Sequence, residues 1–388
     1  MKPLAAMVLS LVLLPWAAIG ETRIDVTYLH VETPRPPVLS NLDPEPADLG
    51  LAGAQLAVRD NATTGRFLGH AYTLDTVSVA LGEDPLAAAR RALSSTDLLV
   101  LDAPAEVLLA IADLPEAARA LIFNTSAEDT DLRGQNCRAN ILHSAPSLAM
   151  RTDALAQFLA QRRWTRLAMI EGSYPADKAF AAALERSARK FGLKIGARKT
   201  WAFDADMRRH AAQEVPLFTQ DLGKYDALLV ADETGDFGRY IAYNTWLPRP
   251  VVGSEGLTAA AWAPVVEQWG AAQLQSRFHE MTGRQMYPQD YAAWAALRSI
   301  GEAVTRGAAG DAPSLHGFLM SGDFELAGFK GRPLTYRAWN GQLRQPIPLT
   351  QPRALVTQAP LEGFLHPRTE LDTLGLDAPE AGCAAYAA

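Results

Sequence analysis

Cysteine is nearly absent from this chain. Cys137 and Cys383 are the only two, and no CxxC pair exists to bind a metal or exchange disulfides. The seven histidines, His30, His70, His143, His210, His279, His316 and His366, are scattered, and no two have the spacing of a helix-borne zinc site. A glycine-rich phosphate fingerprint is missing too, because "TGRFLGH" at 64–70 has the wrong spacing and no lysine. "VVGSEG" at 251–256 approaches a nucleophile elbow around Ser254, but Val252 stands where that strained turn needs its first glycine. Asp43, Glu45 and Asp48 lie close together without the ligand spacing or central glycine of a calcium-binding hand. Basic charge is also short: 36 Lys and Arg against 43 Asp and Glu leave a net charge of −7. Zinc hydrolases, serine hydrolases, phosphate-loop enzymes and nucleic-acid binders are therefore poor readings, and the chain is expected to be no enzyme and to hold no metal or resident cofactor.

What is present begins with Lys2, an apolar run over 4–18, and Ala18-Ile19-Gly20 before Glu21. This is the order of a secretory signal peptide, expected over 1–20 with cleavage after Gly20. No cysteine stands at that point, so a lipid anchor is not indicated, and no later run reaches about 18 apolar residues without a charge. An exported chain with two cysteines most simply pairs them, so Cys137 is expected to be joined to Cys383, tying the last residues to the body.

Periodicity implies an α/β fold. Apolar strands are expected at 24–29, 71–79, 98–101 and 121–123, separated by helices such as 49–62 and 104–113. A second series opens with "LAMIEGSYPADKAFAAALERSARKFGLKIG" at 167–196. Its first four residues read as a strand covered on both faces, and Phe180, Leu184, Ser187 and Phe191 then repeat at helical spacing until Gly192 stops the helix. Further strands are expected at 197–203, 227–231 and 251–252. The chain thus reads as two similar lobes with a crossover near 144–147, and with two later crossovers that return helix 291–304 and "PLTYRAW" at 333–339 to one lobe or the other. The Pro-rich stretch 30–50 is far longer than an ordinary βα connection.

Several stretches, weak singly but telling in order, resemble the periplasmic binding proteins of ABC importers in the leucine/isoleucine/valine-binding superfamily. They are "GAQLAVRDNATTGRFLGH" (53–70), 147–192, "PRPVVGSEGL" (248–257) and "FKGRPLTYRAWNGQLRQP" (329–346). The resemblance implies a type I fold of two Rossmann-like lobes with parallel sheets and a multi-crossover hinge. Lobe 1 would hold 21–145 and about 265–325, lobe 2 would hold 146–264 and about 326–350, and 351–388 would be a tail. It also implies a periplasmic location, a small-molecule ligand and an inner-membrane permease as partner. "NCRANILHSAPS", "EQWGAAQLQSRF", "LRQPIPL" and "GFLHPRTELDTLG" are similar to a subgroup associated with alcohol dehydrogenases that use pyrroloquinoline quinone (PQQ). PQQ or a related compound as ligand, and such a dehydrogenase as partner, follow as expectations. An amino-acid ligand, or a sensing or cofactor-delivery role, are the alternatives.

Ligands of open α/β sheets collect at the carboxyl ends of strands, which directs attention to Asn124, Thr125, Ser173, Tyr174, Ser254 and Glu255. By resemblance, Glu255 holds the position that receives a ligand ammonium, and Tyr174 that of a ligand-facing tyrosine. Asp102-Ala103-Pro104 stands where the relatives have small residues that bind a carboxylate, and an aspartate there repels one. For a flat polyanion, Arg35 and Arg249 are the candidate guanidinium contacts and Trp246 the stacking surface.

Overall fold

The structure, a computed structural model, describes residues 21–34, 45–201 and 207–386. The expected signal peptide, Arg35 and Asp43 lie outside the described residues.

The first sheet is parallel, in the order β2 (His70–Val79), β1 (Thr22–Val31), β3 (Leu98–Asp102), β4 (Leu121–Asn124), β5 (Ile141–His143). Its strands alternate between two apolar faces. Leu98 and Val100 of β3 enter one core with α1 (Leu51–Leu68), while Leu99 and Leu101 enter another with α2 (Pro85–Leu93) and α3 (Ala105–Ala112). Both faces being covered is why β3 reads as an unbroken apolar run.

The second sheet repeats the plan. It joins β6 (Arg166–Glu171), β7 (Lys194–Thr200), β8 (Ala227–Ala231) and β9 (Val251–Gly253) in the order β7-β6-β8-β9. One face packs on α4 (Leu148–Gln161) and α5 (Pro175–Lys190), the other on α6 (Met207–Thr219) and α7 (Gly238–Ile241). Helix α5 ends as its sequence implies, with Gly192 at φ 68°. β7 starts three residues before the expected strand, because as an edge strand it alternates exposed and half-buried residues instead of forming an apolar run.

The chain passes between lobes three times. After β5 it enters α4. It returns between β10 (Thr258–Ala259), whose Ala259 lies in the second lobe's core, and Ala261, which lies in the first. The returned segment supplies α8 (Ala271–Thr282), α9 (Pro288–Thr305) and α10 (Ala312–Leu319) to the first lobe. β11 (Leu326–Ala327), β12 (Pro333–Tyr336) and β13 (Leu343–Arg344) form a small antiparallel sheet.

This last segment corrects the expected division. Leu326, Leu334, Tyr336 and Leu343 belong to the first lobe's core, not the second's. The Tyr336 ring stacks on Phe324, and Tyr291 of α9 donates to Gly328 O at 2.7 Å, which holds the segment against α9. The third passage therefore falls between Leu343 and Ile347. β14 (Ile347–Gln351) pairs with β10 on the second lobe and β15 (Ala354–Ala359) pairs with β14, so 351 does not open a tail. The first and third passages are laced by amides: Gln342 Nε2 donates to His143 O at 3.1 Å and Ala145 O at 3.0 Å, and Gln345 Nε2 to Ser144 O at 2.8 Å.

Cys137 and Cys383 form a disulfide with Cα atoms 5.7 Å apart. The C-terminal residues span the lobes. Leu361 and Leu374 pack in the second core, Gly375 N donates to Asp153 of α4 at 2.8 Å, and the chain then runs to Cys137 of the first lobe.

Candidate functional site

The carboxyl ends of both sheets face a cleft crossed by the lobe connections. It contains a cavity of about 620 Å³ walled by Thr125 and Ser126 after β4, Pro146 of the first passage, Arg151 of α4, Pro175 of α5 and Glu233 after β8. A second cavity of about 750 Å³, lined by Tyr28, His30, Glu32, Asp102 and Glu45, lies on the first lobe. The two share Ser126, Glu128, Asp129 and Gln289, so they form one continuous recess.

An ion cluster spans the floor. Arg151 donates to Glu128 of the first lobe, and to Glu233 of the second at 2.7 and 3.2 Å. Its Nε donates to Ala259 O at 2.9 Å, and its guanidinium sits 5.0 Å over the Phe180 ring. Ser254 Oγ donates to Glu233 at 2.8 Å and accepts from Asp232 N at 2.9 Å. Enclosure in the cleft raises the Glu128 carboxyl above its ordinary range against the pull of Arg151, and Glu233 adds to the rise. Burial works against the Arg151 charge, but the two carboxylates outweigh it and hold the guanidinium firmly protonated.

On the first lobe, Asp102 accepts from Tyr28 Oη at 3.1 Å and contacts His30 Nδ1 at 2.9 Å. Burial, with the Asp102 charge behind it, raises the Tyr28 phenol far above its usual range, so it stays a donor.

The loop after β4 is closed on itself. Asn124 Oδ1 accepts from Ser126 N at 3.3 Å and Ala127 N at 2.9 Å, while Thr125 N and Thr125 Oγ1 donate to Leu101 O at 3.0 and 2.9 Å. Helix starts at the cleft are occupied in the same way. Asp177 accepts from Tyr174 N at 3.2 Å in front of α5, and Asp290 from Tyr287 N at 2.9 Å in front of α9. Both helices have proline in their first turn, which removes a further donor.

The candidate residues divide accordingly. Thr125 lines the cleft, and Ser254 joins it through Glu233. Asn124 is buried and shapes the loop rather than lining the recess. Ser173 and Tyr174 are exposed beside the lip, where the residues that turn to the cavity are Pro175, Ala176 and Ala179. Glu255 lies over the start of α7, with its Cγ only 2.5 Å from where a Gly238 Cβ would stand, and does not line either cavity. Trp246 and Arg249 are exposed and precede β9, at the amino ends of the strands and away from the cleft. A polyanion site built on those two is therefore not assembled. Arg151, Glu128 and Glu233 belong to no motif that the sequence displays.

The chain matches the periplasmic binding protein family model over residues 46–213. No protein of curated function matches it. Among solved structures it is similar to a branched-chain amino acid ABC transporter periplasmic ligand-binding protein from Burkholderia xenovorans, at 15% identity and TM-score 0.71, covering 94% of this chain and 100% of that one. A leucine-, isoleucine-, valine-, threonine- and alanine-binding protein from Brucella ovis aligns at 15% identity and TM-score 0.63 over 84% and 89% of the two chains. A solute-binding protein of an R. palustris ABC transporter in complex with benzoate aligns at 12% identity and TM-score 0.63 over 93% and 99%. The fold is that of type I periplasmic binding proteins, with parallel sheets in two lobes.

Proposed function

We propose that this chain is the solute-binding component of a periplasmic ABC importer: a non-enzymatic protein whose lobes close over a small ligand and present it to a membrane permease. The observation that carries this reading is the recess itself, walled by strand-end loops of both sheets and floored by the passages that would act as the hinge.

Two ligand readings deserve comparison. An amino acid is favoured by what the similar structures are described as binding. PQQ is suggested by the sequence stretches similar to the quinoprotein-associated subgroup, but the Glu128, Asp129 and Glu233 lining opposes a tricarboxylate. A partnership with a PQQ-dependent dehydrogenase, by sensing or delivery, then rests on that resemblance alone. Gene neighbours separate the roles: permease and ATPase genes support import, a sensor kinase supports signalling, and a lone dehydrogenase supports delivery.

The direct test is native mass spectrometry of protein purified from the exported fraction without refolding. A single small-molecule adduct released on unfolding is expected. A protein that carries no adduct and binds no member of a broad solute panel contradicts the reading.

A further inference from the structure

We infer that the ligand of this cleft is a cation. The inference rests on the solute-binding reading and adds the ligand's chemical class.

Three independent features agree. The two joined cavities are lined by the carboxylates of Glu32, Glu45, Asp102, Glu128, Asp129 and Glu233, whereas Arg151 is the only lysine or arginine among the described lining residues. That arginine is committed: two carboxylates, a backbone carbonyl and the Phe180 ring surround it, so it offers little to a ligand anion. Most of the usual backbone devices for anions are spent as well. Helix starts facing a cleft attract carboxylates through their free N–H groups. Here Asp177 and Asp290 take the N-cap N–H of α5 and of α9, a proline removes the next donor of each, and the start of α3, which no side chain caps, follows Asp102 by three residues and so sits beside a negative charge. The N–H groups of residues 125–127 are turned inward to Leu101 O and Asn124 Oδ1. An incoming carboxylate would meet repulsion from six acidic groups with few donors to offset it, while a cation would gain from the same field in a partly enclosed, weakly screened space.

The recess also has apolar walls at Pro146, Pro175, Ala176, Ala179 and Ala261, and its joined volume exceeds that of a single ion. No group of three or more His, Cys, Asp or Glu among the described residues is arranged to hold a metal. An organic ammonium with a short carbon body fits this lining. A hard metal cation shares the charge, so the experiment carries both.

Calorimetric titration of the full exported protein with 1,4-diaminobutane, spermidine, choline and calcium chloride, and separately with leucine, benzoate and PQQ, tests the inference. Saturable binding of an amine is expected, and binding of calcium without any amine would overturn the organic-ammonium assignment. Affinity should fall steeply with added salt and drop roughly tenfold in Asp129→Asn or Glu32→Gln. Both side chains stand at the surface of the recess, and circular dichroism checks that the variants fold. Tight binding of leucine, benzoate or PQQ, unchanged or improved by Asp129→Asn, overturns the cation inference and leaves the solute-binding reading standing. No binding by any of the four cations overturns the cation inference, while the solute-binding reading is decided separately by the adduct measurement.

Discussion

His143 illustrates how one buried group can make the first lobe connection sensitive to acid. Asn124 Oδ1 is committed to two N–H groups, so its amide nitrogen must face His143 Nδ1, 3.0 Å away, and that ring atom can only accept. Burial, and then the charge of Arg133, hold the imidazole well below its ordinary 6.5. The unfolded chain therefore binds the extra proton first, so stability is fully present above about pH 6.5 and is lost as pH falls from there toward the depressed native value. Comparing wild type with His143→Gln by urea unfolding between pH 7.5 and 5 should show the wild type losing more stability on acidification. Equal pH slopes would contradict this. Arg151 is the corresponding group for the cleft. Arg151→Met leaves Glu128 and Glu233 enclosed without their shared cation, and should cost about 3 kcal/mol. Adding Glu233→Gln should recover part of that loss, whereas additive costs in thermal unfolding would mean that the three side chains do not act as a unit.

Among the elements, α1 and α9 form a closely apposed pair, and glycine sets their separation. A Cβ on Gly53 would come 1.8 Å from Asp290 O, inside any permissible contact. Gly53→Ala must therefore push the helices apart, with an expected cost of about 1 to 3 kcal/mol. A midpoint in urea unchanged from wild type would contradict the close approach. The strands and helices of both lobes were largely legible, because buried parallel strands are apolar runs and α5 carries a clear helical period. The segment 326–343 was not, since short antiparallel strands give little periodicity and its lobe is decided by the Tyr336 and Tyr291 contacts. The recess was legible as a set of strand-end loops but not in its residues. Arg151 reads as one more arginine on a helix, and its partners lie 23 residues before and 82 residues after it in sequence. Glu255 stands beside Ser254 in the chain, yet only the serine turns toward Glu233.

At the scale of the whole molecule, the C-terminal residues act as a strap. Arg337 donates to Asp372 at 2.9 Å and to the carbonyls of Leu371 and Leu374, Leu374 packs in the second core, and the Cys137–Cys383 disulfide closes the strap on the first lobe across a separation of 246 residues. Cys383→Ser should lower the unfolding free energy by about 2 to 4 kcal/mol. The polar anchors keep the rest of the strap in place, so proteolysis should trim the chain only beyond about residue 380; cleavage near 360 would show that the disulfide alone holds the segment. Among the described residues the chain joins the lobes by three narrow passages and this strap, with polar bridges such as Arg151 to Glu128 between them, which is the arrangement a closing cleft requires. Small-angle X-ray scattering tests that claim most directly, titrating the purified protein with the compound it carries or with the tightest-binding cation of the panel. The account predicts a saturable contraction of the radius of gyration whose midpoint follows the calorimetric affinity. A radius unchanged at full occupancy would contradict it.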